Sequence, residues 1–83
     1  MSNYIRFQAI EILDYQKSEF LYEAAIFKVD ETEYTIKIFP NGNYSIYNSQ
    51  NELEANGTST YEPKCGLFSL KLFLQHVANT HKL

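Results

Sequence analysis

The segment Phe39-Pro40-Asn41-Gly42-Asn43 constrains this chain more than any other. Proline holds φ at about −65°, which suits the first position of a type I turn. Asn suits the second position, and Gly takes the left-handed third position of a G1 bulge. The flanks are strand-like: Tyr34, Ile36 and Ile38 share one parity before the turn, and Tyr44 and Ile46 share one after it. A three-residue loop pairs Phe39 with Asn43, Ile38 with Tyr44 and Ile36 with Ile46, which gathers the apolar side chains on one face. A two-residue Asn-Gly loop sets Ile38 against Ser45 and Lys37 against Ile46. A slip of one residue exchanges the faces, so the apolar pattern selects the three-residue loop.

The same pairing logic extends upstream. Residues 20–29 are apolar on both parities, and a two-residue loop at Glu31-Thr32 pairs Asp30 with Glu33, Val29 with Tyr34 and Phe27 with Ile36. That register adds Leu21, Ala25, Phe27 and Val29 to the core face, at the cost of two like charges set opposite each other. Residues 4–13 form a further strand whose apolar parity changes after Ala9, where Ile10 and Ile12 take over from Ile5 and Phe7. Such a change of phase predicts a bulge or a strand buried on both faces.

Residues 67–80 have helical spacing: Leu67, Leu70, Phe73, Leu74, Val77 and Ala78 fall in one stripe at about 100° per residue. Phe68 and Leu72 lie off that stripe as an i,i+4 pair. Residues 49–66 keep no sustained period, and a helical turn near Glu52–Ala55 with a short strand near Thr58–Tyr61 is expected there. The fold class that follows is α+β, a single small domain over 1–83: an antiparallel four- or five-stranded sheet, a β-meander, with one C-terminal helix packed on one face.

Composition excludes several classes. The chain is 45% hydrophobic and 16% aromatic, with seven Tyr, six Phe and no Trp, which is too apolar for a disordered chain. One Cys rules out an internal disulfide, and one Cys with two His rules out an ordinary Cys/His zinc site. No cofactor and no metal are expected. No run approaches the roughly 20 apolar residues of a membrane span, and charges appear too early at the N-terminus for a secretory leader. The expected location is cytoplasmic, the host cytoplasm if the chain is phage-encoded.

Catalysis finds no support. Cys65 and His76 are eleven residues apart, about 16 Å along a helix, so His76 is no base for that thiol. His76 and His81 are five apart and do not share a helix face well, and structural or solvent roles on the polar face and at the frayed helix end account for both. The acids form no dyad, and Gly42, Gly57 and Gly66 form no phosphate cradle. The chain is expected not to be an enzyme.

Charge decides between the remaining binding classes. Residues 1–40 hold seven acids (Glu11, Asp14, Glu19, Glu23, Asp30, Glu31, Glu33) against four bases, and residues 41–83 hold three of each, so the net −3 lies in the first half. Tyr and Phe on strands can stack on bases, but here they sit in the acidic half, which argues against nucleic acid.

The positive signal is a second apolar sheet face. The registers above turn Phe20, Tyr22, Ala24 and Ile26, then Thr35, Lys37 and Phe39, then Tyr47, away from the helix; Ile10 and Ile12, or else Ile5 and Phe7, join them. One helix covers one face, so the second is covered by residues 49–66 through Leu53 and Tyr61, by a second copy, or by another protein. The expected function is non-catalytic protein binding: a small inhibitor of the phage anti-defence or immunity type that occludes a basic functional surface of its target. The partner-binding residues expected are Phe20, Tyr22, Phe39 and Tyr47 with Glu31 and Glu33 on the rim, and Phe68 and Leu72 as a second patch. The alternatives are an obligate homodimeric structural or accessory protein and a small-molecule-binding domain.

Overall fold

The computed structural model describes residues 9–17, 23–59 and 66–83, and in the last stretch the side chains from residue 69 onward. The strands are β1 (Ile10–Lys17), β2 (Glu23–Val29), β3 (Thr32–Ile38), β4 (Asn43–Asn48) and β5 (Leu53–Thr58), followed by helix α1 (Gly66–His81). All neighbours are antiparallel in the order β1-β2-β3-β4-β5, the expected meander carrying its helix on one face.

The β3–β4 hairpin has the register that the apolar pattern demands: Ile38 faces Tyr44 and Ile36 faces Ile46. The Phe39 N–H donates to Asn43 O at 2.8 Å, and the Gly42 N–H closes the turn on Phe39 O at 3.0 Å. Gly42 sits at φ +94°, and the Asn41 side-chain oxygen accepts from the Asn43 N–H at 3.0 Å. Each turn residue thus does what its chemistry permits.

The β2–β3 hairpin corrects the expected register by two residues. The loop is Asp30-Glu31, so Val29 faces Thr32, Phe27 faces Tyr34 and Ala25 faces Ile36. A slide of two preserves parity, so Ala25, Phe27 and Val29 stay on the core face and hydrophobic pattern alone cannot detect the difference; Leu21 lies outside the described residues. Charge and backbone separate the two registers. Asp30 is no longer set against Glu33; Lys28 instead lies between Glu11 on one side and Glu33 on the other. Asp30 occupies the left-handed region at φ +57°, which Asp tolerates better than most residues.

Strand β1 carries a bulge between Ile12 and Asp14, with Leu13 as the inserted residue. The expected phase change is therefore real, but it lies three residues further along than the change of apolar parity. Ile10 is buried and Ile12 packs against the core, so neither joins the second face; Ile5 and Phe7 lie outside the described residues.

Strand β5 replaces the helical turn expected at Glu52–Ala55. Asn48 organises the reversal before it. Its side-chain oxygen accepts from the N–H groups of Gln50 and Glu52, both at 2.9 Å, and its amide donates to the carboxylates of Glu52 and Glu54. Asn51 supplies the left-handed residue at φ +65°. The strand expected at Thr58–Tyr61 begins where β5 ends, and Tyr61 lies outside the described residues.

Helix α1 buries Leu70, Phe73, Leu74, Val77 and Ala78 against Phe27, Val29, Ile36 and Ile46, as its stripe requires. It ends in a Schellman-type cap: the Leu83 N–H reaches back to Ala78 O at 3.0 Å, with Lys82 left-handed at φ +55°.

Candidate functional site

The face of the sheet away from α1 is built by parity. Glu11, Asp14 and Gln16 come from β1; Ala24, Ile26 and Lys28 from β2; Glu33, Thr35 and Lys37 from β3; Ser45 and Tyr47 from β4. Ala24, Ile26, Thr35 and Tyr47 are half-buried. Tyr47 lies opposite Thr35 on one side and Leu53 on the other, and the Lys37 ammonium stands 5.5 Å from its ring centroid. That distance is within reach of a cation–π contact. A shallow groove of about 170 Å³ runs between Asp14, Gln16, Ala24, Ile26 and Thr35.

Of the expected partner-binding residues, Phe39, Tyr47 and Glu33 share this face, and Glu31 is exposed in the turn beside it. Phe20 and Tyr22 lie outside the described residues, and so does the side chain of Phe68. Leu72 is 57% exposed on the helix, on the other side of the sheet from Phe39, Tyr47 and Glu33. Two further exposed large apolar side chains among the described residues were not anticipated as such: Leu13, the bulge residue, and Leu53, where β5 begins. Residues 53–58 do not fold across the second face; they extend the sheet sideways. Strand β1 contributes polar groups to that face where Ile10 and Ile12 were expected, so among the described strand residues its apolar centre is Ala24, Ile26, Thr35 and Tyr47.

A second concavity was not foreseen. Tyr44, Thr58 and Ser59 on the sheet side, with Ser69, Leu72, Phe73 and His76 on α1, enclose an open cleft of about 550 Å³. Its base is an edge-to-face pair, Tyr44 and Phe73, with ring centroids 5.6 Å apart. Sequence reading missed the cleft because one wall is the end of β5. Of the two roles expected for His81, structural or solvent, the fold shows the structural one. His81 is half-buried, its Nε2 is 2.7 Å from the Tyr44 hydroxyl, and their rings meet edge to face.

The electrostatics of the inner face are those of structure. Burial pushes the Tyr44 phenol above its usual range. Burial does the same to Tyr34, with the nearby Glu54 carboxylate adding to it. The buried carboxylate of Glu23 accepts a short hydrogen bond from the Tyr15 hydroxyl, which satisfies a charge that burial would otherwise penalise. Among the described residues no group of three or more His, Cys, Asp or Glu side chains is placed to hold a metal ion. Likewise no described helix is long and apolar enough to cross a membrane. Cys65 lies outside the described residues. No family model matches this chain, and no curated protein or solved structure matches it either.

Proposed function

We propose that this chain is a non-catalytic protein-binding module, a small inhibitor that lays its outer sheet face on a basic surface of its target. The observation that carries this reading is the outer face itself. Ile26, Ala24, Thr35 and Tyr47 form an apolar centre opposite the helix, and no described element lies over it. A half-apolar centre with a charged rim is the composition of a protein-binding patch, and tyrosine supplies large contact area at low rotamer cost.

The charge of the rim gives the partner its sign. Glu11, Asp14, Asp30, Glu31 and Glu33 surround the centre and its turn, against Lys28 and Lys37; five acids less two lysines leave −3. A partner with a positive functional surface is steered to such a rim, and salt slows that approach. Occlusion needs no chemistry of its own, which suits a face without a nucleophile–base pair.

The test is affinity capture from native lysate on the tagged full chain, beside Tyr47→Asp, at low and at high salt. The expected result is one dominant partner with a basic surface, retained by the wild type at low salt and lost by the variant. Partners captured equally by both would sink the proposal. A mass of twice 9.7 kDa in solution that Tyr47→Asp converts to the monomer would assign the face to a second copy.

A further inference from the structure

We infer that the edge of β5, which no described strand pairs with, is a second docking site together with the cleft at its end. It takes an extended peptide segment of another protein as a sixth strand. The site is separate from the outer face and does not depend on its role.

The backbone specifies which groups are available. The Ser59 N–H donates to Gly42 O at 2.8 Å, so position 59 points its polar groups toward β4. Antiparallel ladders alternate, so Gly57 and Ala55 also point inward, toward Tyr44 and Ile46. The N–H and C=O groups of Asn56 and Thr58 then point away from β4, and β5 is the last strand among the described residues. The two edges are not equivalent. Strand β1 is guarded by its bulge, by Glu11, Asp14 and Lys17, and by the Asp14 carboxylate that takes the Tyr15 N–H at 2.9 Å. Strand β5 has a register shift of its own at Glu54, near its start, but from Ala55 to Thr58 it has no charge, no proline and a regular ladder. Natural sheets usually blunt such an edge, and an unblunted one is a template for strand addition.

The cleft and the charges say what the segment carries. Thr58 and Ser59 at the end of the edge line the cleft, whose far wall has Leu72 exposed beside His76. One apolar side chain of the added strand fits there. At the other end of β5 stand the exposed carboxylates of Glu52 and Glu54. Ala55 and Ser59 are four residues apart, about 13 Å in extended chain, and share the helix-side face; the register shift at Glu54 puts its carboxylate on that face too, bonded to Asn48 and beside Tyr34. The complementary segment therefore has an aromatic or aliphatic residue and a Lys or Arg four positions away, in either chain direction.

Two acetylated heptapeptide amides of one composition test this. In Thr-Phe-Thr-Val-Thr-Lys-Thr the ring and the ammonium are four apart; in Thr-Phe-Lys-Val-Thr-Thr-Thr they are adjacent and face opposite ways. Amide NMR of the full chain should show the first peptide shifting and slowing exchange at Asn56 and Thr58, with Gly57 and Ser59 protected beforehand. The second should bind about threefold more weakly, the size a surface ion pair allows. Asn56→Pro removes only an outward N–H, so it should keep the fold and lose the binding. Leu72→Ser should weaken both peptides, and Glu54→Gln should erase the difference between them. Tyr47→Asp should bind the peptides as the wild type does. Three results would overturn the inference: equal binding of the two peptides, no change at Asn56 and Thr58, or both amides already protected in a dimer, which would give the edge to a second copy.

Discussion

The ring of Tyr44 lies across Gly57 so closely that a Cβ at position 57 would stand 2.6 Å from the phenol oxygen and 2.8 Å from Cζ. Tyr44 is not free to step aside. Phe73 meets its ring edge to face, and its hydroxyl is bonded to His81 at 2.7 Å. Gly57→Ala should therefore cost about 1–3 kcal/mol, the usual penalty for overpacking. Urea unfolding gives the energy, and the His81 ring signals in NMR report whether Tyr44 has moved. A variant as stable as the wild type with unmoved His81 signals would show that the close approach does not constrain the sheet.

Gly42→Ala should be worse. Its Cβ would stand 2.6 Å from the backbone oxygen of Ser59, and φ at +94° is strained for any L side chain. A side-chain tip can rotate away, whereas the Ser59 backbone is tied to Gly42 by its own N–H. The expected loss is about 2–4 kcal/mol, overpacking and backbone strain together. Under identical denaturant conditions the ranking wild type, Gly57→Ala, Gly42→Ala should hold, and the reverse order of the two variants would contradict it.

Alkaline pH should unfold the domain through its buried phenols. Tyr34 and Tyr44 hold their protons above the ordinary value of 10.0. The folded state therefore binds more protons than the unfolded chain once pH passes about 10. Stability is fully present below that pH and falls as pH rises through the folded-state values. Urea midpoints measured from about pH 8 to 11 should be level at first and then decline. Tyr44→Phe should start about 1 kcal/mol lower for want of the His81 bond and decline less steeply. A wild-type curve level to pH 11 would refute this reading of the two phenols.

Parity was the part of the fold most legible in the sequence, because a wrong parity would bury Lys37 or Ser45 and expose Ile36. The core members Phe27, Ile36, Ile46, Leu74 and Val77 follow from it directly. What parity cannot distinguish is a slide of two residues, and there the β2–β3 register was decided by Lys28 and by the left-handed Asp30. Strand β5 was illegible for a different reason. Its Leu-Glu-Ala-Asn-Gly-Thr run has one β-branched residue and no aromatic, so it is a strand because β4 offers an edge and Asn48 turns the chain toward it. The cleft was hidden with it, since Thr58 and Ser59 are one of its walls. For the outer face, Tyr47, Phe39 and Glu33 were found from register alone, whereas exposed Leu13 depends on where the bulge falls.

Two isoleucines of opposite parity test the face assignment most directly. Ile36 is fully buried beneath the helix, and Ile26 is half-buried at the centre of the outer face. Ile36→Asp places a carboxylate among Phe27, Ile46 and Leu74 with no partner, a cost above the few kcal/mol that a domain of this size can lose. Ile26→Asp leaves its carboxylate in reach of water, opposite Asp14 in β1 but with Lys28 and Lys37 two positions away on the same face, and should cost about 1 kcal/mol. Far-UV circular dichroism and thermal melting should find Ile36→Asp unfolded and Ile26→Asp folded, with a melting temperature lowered by about 4–8 °C. If the outer face binds a partner, Ile26→Asp should also abolish its capture while Leu72→Ser retains it. Unfolding of Ile26→Asp would instead mean that this face is a covered interior, and Ile26 would then belong to a second core.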